Sequence, residues 1–210
     1  VVSNMEVIPT YERLLPEGRS LLPSYRQRFE PAASGLVLHL GIKHDYPQLL
    51  HHNFFYSADA ERFCHTIHRR HQLPEDPHIY LVCPTKTEPG LAPPGHSIIK
   101  ALPHIPCVQD PPFTRQDYEA LRDRVIDKLE RMGLVGLRRH VVVQDMLVPE
   151  DIERLYYSNR GAIYGTVNHW RKNYSLKAPQ RSELCSNLYF AGGSVNPGGG
   201  TCMVILSGQN

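Results

Sequence analysis

Asn187-Leu-Tyr-Phe-Ala-Gly-Gly-Ser-Val-Asn-Pro-Gly-Gly-Gly-Thr-Cys-Met-Val-Ile-Leu-Ser207 is the stretch whose reading decides the fold. Asn187 to Ala191 is a short apolar run that predicts a strand, and Gly192-Gly193 predicts a tight turn. Pro197, Gly198, Gly199 and Gly200 lead into a predicted helix beginning at Thr201. Glycines at a strand end and ahead of a helix remove the side chains that would hold a ligand away from the backbone. The first N–H groups of a helix have no internal partner and lie at its positive dipole end, which favours negative charge. A flavin offers such an atom, because its N1–C2=O edge becomes anionic on two-electron reduction. The competing reading is a glycine-rich turn that merely joins strand to helix, and the cluster alone leaves both open. It is not a G-x-G-x-x-G dinucleotide fingerprint, and the chain contains none.

Outward from this unit, the rest of the chain reads as mixed α/β. Leu36, Leu38, Leu40 and Ile42 alternate with Val37, His39 and Gly41, a strand with one buried face. Further strands are expected at 53–56, 78–83, 97–102 and 140–147, separated by proline-rich turns such as Pro93-Pro94-Gly95 and Pro103. Two helices stand out, one over Asp59 to His71 and one over Thr114 to Met132. In the second, Thr114 and Asp117 form a capping-box start and Gly133 a stop. Its Tyr118, Leu121, Val125, Leu129 and Met132 form an apolar stripe, with Arg122, Asp123, Lys128 and Glu130 mostly off it. That pattern predicts a helix lying on a sheet.

The 210 residues are 41% hydrophobic and 21% charged, enough for a core and a soluble surface. The 23 basic and 21 acidic residues give a net charge of +2, too balanced and scattered to argue for nucleic acid. Mean hydropathy is −0.37, and no stretch approaches the ~20 apolar residues that cross a bilayer. Five cysteines without a C-x-x-C pair fit neither a zinc ribbon nor a disulfide framework, so reduced thiols in a cytoplasmic setting are expected. Val1 opens inside a predicted strand and the last residues fall inside a predicted helix, so both ends read as cut.

The 187–200 stretch, followed by Val204-Ile-Leu-Ser-Gly208, resembles the C-terminal FAD motif of bacterial-type phytoene desaturases and related carotenoid oxidoreductases. Asn196 stands where desaturases usually carry His, and Gly193 and Gly199 stand where Ala is common. That variant is similar to the family's diapocarotenoid desaturase/oxygenase-like branch. Val1-Val-Ser-Asn-Met-Glu-Val-Ile-Pro-Thr-Tyr-Glu-Arg-Leu-Leu15 is similar to the segment leaving the family's FAD domain, and Ser34 to Ile42 to a strand of its substrate domain. His51-His-Asn-Phe-Phe55, Leu91-Ala-Pro-Pro-Gly95 and Val148-Pro-Glu-Asp-Ile-Glu153 follow in family order.

The resemblance implies an FAD-dependent enzyme acting on a carotenoid or apocarotenoid polyene, by desaturation or terminal-methyl oxidation. This chain would be its C-terminal portion, inactive by itself and lacking the pyrophosphate-binding unit upstream. Residues 1–20 would leave the FAD domain, 21–150 would form a mixed-sheet substrate domain with helices, and 151–210 would return to a doubly wound FAD domain. Gly192, Gly193, Ser194, Pro197, Gly199, Gly200, Thr201, Cys202 and Met203 would hold the cofactor. A lipid-dissolved substrate implies peripheral contact with a membrane. The alternatives are another flavin enzyme, amine-oxidase-like or carotenoid-isomerase-like, and a non-catalytic isoprenoid-binding module.

Other chemistry-bearing residues read as structural. His65, His68 and His71 recur along one predicted helix, where solvated surface is expected rather than a metal site. His51 and His52 should face opposite ways in a strand. Phe54, Phe55, Tyr56, Tyr80, Tyr156, Tyr157, Tyr164 and Trp170 either line an isoprenoid tunnel or fill the core. Asp151 and Glu153 are expected to serve a helix dipole, and no residue is assigned as a catalytic base.

Overall fold

The strand and helix signals order a mixed α/β chain, here seen in a computed structural model that describes residues 1–209. In chain order the elements are β1 (Val2–Ser3), α1 (Val7–Arg13), α2 (Leu22–Arg28), β2 (Ser34–Gly35), β3 (Val37–Ile42), β4 (His52–Phe55) and α3 (Ala60–His68). There follow β5 (Ile79–Val82), β6 (Ser97–Ile105), α4 (Arg115–Arg131), α5 (Leu137–His140), β7 (Val141–Leu147), α6 (Pro149–Tyr156), α7 (Trp170–Asn173), β8 (Tyr189–Phe190) and α8 (Thr201–Ser207). Two compact units result: Val1–Ser34 joined by the chain from Pro149 onward, and Gly35–Val148.

In the second unit the strands lie in the order β4-β5-β6-β3-β7, and every ladder among them is antiparallel. The period-2 pattern gives this sheet two unlike faces. Leu38, Leu40, Ile42, Ile79, Leu81, Ile99, Ala101 and Ile105 point into the core. Tyr118, Leu121, Val125 and Leu129 of α4 bury into the same cluster, the outcome expected of an amphipathic helix on a sheet. The capping box is present, with the Asp117 N–H donating to Thr114 Oγ1 at 3.2 Å and the Thr114 N–H to Asp117 Oδ2 at 2.8 Å.

Four details depart from the sequence reading. Met132 is half exposed, because the helix ends at Arg131 and Met132 is its C-cap. The helix begun by Asp59 stops at His68 rather than His71, whose φ of +52° breaks it. Pro103 lies inside β6 opposite Ile79 instead of ending it; proline lacks a donor but keeps its acceptor, here used by the Leu36 N–H at 3.1 Å. His51 sits just before β4, outside its alternation, and its ring lies 4.3 Å from that of His52.

In the first unit β1 and β8 pair in parallel, Val2 opposite Tyr189 and Ser3 opposite Phe190. Behind them Val7, Ile8 and Tyr11 of α1 and Leu22 and Tyr25 of α2 pack with Phe29, Leu188, Phe190 and Val195. Tyr11 is the hub: its ring meets Tyr25 and Phe190 edge-on at 5.6 and 5.5 Å, and its hydroxyl lies 3.0 Å from Ser182 Oγ. Because α2 shares this core, the unit runs past residue 20 to Ser34.

One charged side chain that the apolar stripe leaves out is buried. Lys128 is 4% exposed, and its Nζ donates to the carbonyls of Tyr56 and Pro77 at 2.8 Å each and to Asp76 Oδ1 at 2.5 Å. The ammonium ties α4 to the segment leaving β4 and the segment entering β5. Burial pushes the Asp76 carboxyl upward, but hydrogen bonds from Lys128 and the Ala58 N–H outweigh it and hold the group below its ordinary value. Lys128→Met keeps the stem and removes the charge, leaving two carbonyls and a carboxylate without their donor. The expected loss is about 2 kcal/mol, read as a lower melting temperature of the full-length protein; an unchanged melt contradicts this role.

Candidate functional site

The glycine turn after β8 sits where the carboxyl ends of two parallel strands meet. β8 runs into Ala191-Gly192 and β1 runs into Asn4, and a Cβ on Gly192 would lie 3.4 Å from the Asn4 carbonyl oxygen. In open parallel sheets ligands bind at that end of the strands. Gly192 has a φ of +128°, and its N–H donates to Ser207 Oγ at 2.8 Å, tying the turn to the far end of α8.

Besides Gly192, the residues singled out from sequence fall into three groups. Gly193 and Gly199 pack backbone to backbone: a Cβ on Gly193 would lie 3.6 Å from Gly199 Cα, and one on Gly199 would lie 2.9 Å from the Tyr164 backbone. Gly165 completes this contact, since a side chain there would collide with the Gly193 carbonyl. These glycines serve close approach of the chain to itself. Ser194 is buried and its Oγ accepts the Val7 N–H at 3.1 Å, fixing the first turn of α1.

The third group faces outward. Gly200 has a φ of +107°, and a Cβ there would meet nothing within 4 Å. Pro197, Thr201, Cys202 and Met203 are exposed around it. Gly200 therefore borders open space, while Gly198 and Gly199 are backed by other parts of the chain. One residue beyond Gly165, the Thr166 hydroxyl is buried without a hydrogen-bond partner among the described residues.

Two ionisable residues here escaped the sequence reading. Glu6 accepts the Asn159 N–H at 3.1 Å. Burial pushes its carboxyl up to about 7, against the Asn159 hydrogen bond and the attraction of Lys177. Lys177 lies beside Gly198, where a Cβ would overlap its Cε. Glu6 stands in the N-terminal segment, but no pattern in the sequence signals that it is half-buried. Gly165 had a signal, a glycine in an irregular stretch, with nothing to say which backbone it approaches.

The second unit offers a different surface. On the sheet face away from α4, the rings of Tyr56, Phe54, Tyr80 and His52 form a column of near-parallel neighbours. Centroid separations are 6.1, 5.0 and 5.9 Å, with interplanar angles of 12°, 25° and 22°. Phe54 and Tyr56 are 59% and 65% exposed. The cross-strand register Phe54 opposite Tyr80 produces the stack. Phe55 turns to the core, and Tyr156, Tyr157, Tyr164 and Trp170 are exposed in the other unit. His65, His68 and His71 are exposed.

No known family profile matches the chain. Individual proteins do. The chain is 58% identical over 210 residues to a 4,4'-diapolycopene oxygenase from Methylomonas sp, covering 100% of the chain and 42% of that protein. It is 53% identical over 209 residues to a 4,4'-diaponeurosporene oxygenase from Staphylococcus aureus strain MRSA252, with the same coverages. The chain thus spans about two fifths of the length of these curated relatives. The resemblance carried by its motifs to the carotenoid desaturase/oxygenase family is borne out from end to end. A crystal structure of an oxidoreductase from Methanosarcina mazei aligns with a TM-score of 0.48 at 14% identity, over 100% of this chain and 42% of that one.

The raised Glu6 carboxyl has a consequence for stability. Folded Glu6 holds its proton up to about pH 7, whereas an unfolded glutamate releases it near 4.5. Between those values the unfolded state binds fewer protons, so stability is higher on the acid side and falls as pH rises through about 7. The melting temperature of the full-length protein should drop from about pH 5 to about pH 8, and Glu6→Gln should flatten that slope. An equal slope in both proteins contradicts the assignment.

Proposed function

We propose, for a chain homologous over its whole length to oxygenases of the carotenoid desaturase/oxygenase family, that it is the C-terminal part of an FAD-dependent enzyme oxidising a long apolar polyene. The observation that carries this reading is the end-to-end identity of 53–58% with relatives named as oxygenases of diaponeurosporene and diapolycopene. Those names favour terminal oxidation over desaturation.

The residues present fit a flavin at the glycine turn. Gly200 opens onto free space in the turn that follows a parallel strand pair, and beside that turn the Thr166 hydroxyl is buried with no hydrogen-bond partner among the described residues. Gly192, Gly193, Ser194, Pro197, Gly199, Gly200, Thr201, Cys202 and Met203 would hold the cofactor. Gly200 and the exposed residues around it would stand against the cofactor; Gly193, Ser194 and Gly199 would keep the turn in shape through Gly165, Val7 and Tyr164. When bound, FAD supplies the two-electron redox chemistry, and the protein's share is binding, orientation and exclusion of water.

The open face of the antiparallel sheet suits the substrate. A column of four rings gives a flat, apolar surface along which a rigid conjugated chain makes continuous contact. A polyene dissolved in lipid calls for peripheral contact with a cytoplasmic membrane surface. No helix among the described residues is long and apolar enough to cross a membrane.

Two experiments test the two halves of the reading. Purified full-length protein should release FAD on denaturation, and Gly200→Val should lose it while keeping its circular dichroism. Colourless protein that takes up no added FAD overturns the flavin assignment and leaves a non-catalytic isoprenoid-binding module. The double variant Phe54→Ser/Tyr80→Ser should keep its flavin and lose about tenfold or more in kcat/KM for an acyclic polyene, about 1.4 kcal/mol of binding per decade. Undiminished turnover moves the substrate elsewhere.

A further inference from the structure

We propose that Lys177 is a positioning residue that props the glycine turn from its inner side and sets a fixed positive charge beneath it, favouring the reduced state of the bound flavin. The inference rests on the FAD reading above and assigns a residue outside the 187–208 motif.

Lys177 runs alongside the turn. Its N–H points at Asn196 Oδ1 at 3.5 Å, and the next N–H, of Ala178, donates to the Ser194 carbonyl at 3.2 Å. Ala178 bridges Val195 in parallel. The side chain then turns under Gly198, which has a φ of +126°. A Cβ on Gly198 would overlap Lys177 Cε and would lie 3.4 Å from both Cδ and Nζ. The lysine stem thus occupies the volume that any side chain at 198 would need. Two residues on, Gly200 faces open space. The turn has an inner side filled by a lysine and an outer side open to a ligand.

The ammonium is poorly matched for a buried charge. Lys177 is 8% exposed, and among the described residues its Nζ makes one hydrogen bond, to the Thr166 carbonyl, and no ion pair. An ammonium has three donors. Burial draws its pKa down, and the attraction of Glu6 partly restores it. A buried cation with spare donors is costly unless something anionic completes its surroundings. Apart from Glu6, no acidic side chain among the described residues acts on it, and the group placed across the turn would gain negative charge on reduction. A fixed cation there stabilises that charge without reorganisation.

The test uses full-length protein in three forms: wild type, Lys177→Met, which keeps the stem and removes the charge, and Lys177→Arg, which keeps the charge. Flavin content, melting temperature and flavin midpoint potential are measured on each. Lys177→Met should retain FAD with its reduced-to-oxidised ratio at a fixed poise about tenfold lower, a fall of about 30 mV for a two-electron couple. Lys177→Arg should stay near wild type. An unchanged potential in folded, FAD-loaded Lys177→Met overturns the proposal. So does loss of FAD from a folded Lys177→Met, since the ammonium would then serve retention rather than the reduced state. Where Met fails to fold, Lys177→Gln is read in the same way. A wild-type protein that binds no FAD overturns instead the reading on which the proposal rests.

Discussion

Three segments of the first unit come together through backbone alone. Gly193, Gly199 and the Tyr164-Gly165 pair approach so closely that a Cβ on Gly199 would stand 2.9 Å from the Tyr164 backbone, and one on Gly165 would collide with the Gly193 carbonyl. This contact holds the turn after β8 in the shape that leaves Gly200 free. Other features of the unit are built around it. Ser194, next to Gly193, holds α1 through the Val7 N–H, and Ser207 in α8 receives the N–H of Gly192. The turn is thus anchored before, within and after itself.

The same constraint separates two uses of glycine that a sequence shows as one cluster. Where the chain packs on itself, the missing side chain is replaced by protein: Lys177 at Gly198, Tyr164 at Gly199. Where nothing replaces it, at Gly200, space remains for something else. That division puts the stem of Lys177, which lies outside the motif, against Gly198.

The second unit follows a simpler logic. An antiparallel sheet with one apolar face takes a helix on that face and keeps the other for solvent or ligand. The side chains opposite α4 are unusual for a solvated face, being aromatic and stacked. Lys128 locks the helix in place from inside, through two carbonyls and one carboxylate.

Much of this was legible in the chain. Alternation at 36–42 determined a strand with one buried face, and the Thr114–Asp117 box with its apolar stripe determined a helix on a sheet. The strand–glycine–helix order at 187–207 and the family resemblance were also local, because they depend on neighbours in sequence. Three things were not: the burial of Lys128 and half-burial of Glu6, the column formed by Tyr56, Phe54, Tyr80 and His52, and the sorting of Gly198, Gly199 and Gly200. Each depends on which distant segment arrives at a given side chain: Asp76 at Lys128, Asn159 at Glu6, strand β5 at Phe54, Tyr164 at Gly199. Sequence periodicity specifies which face of an element is apolar. Only the tertiary structure decides what stands opposite that face, and so whether a missing side chain is a packing contact or an open place for a ligand.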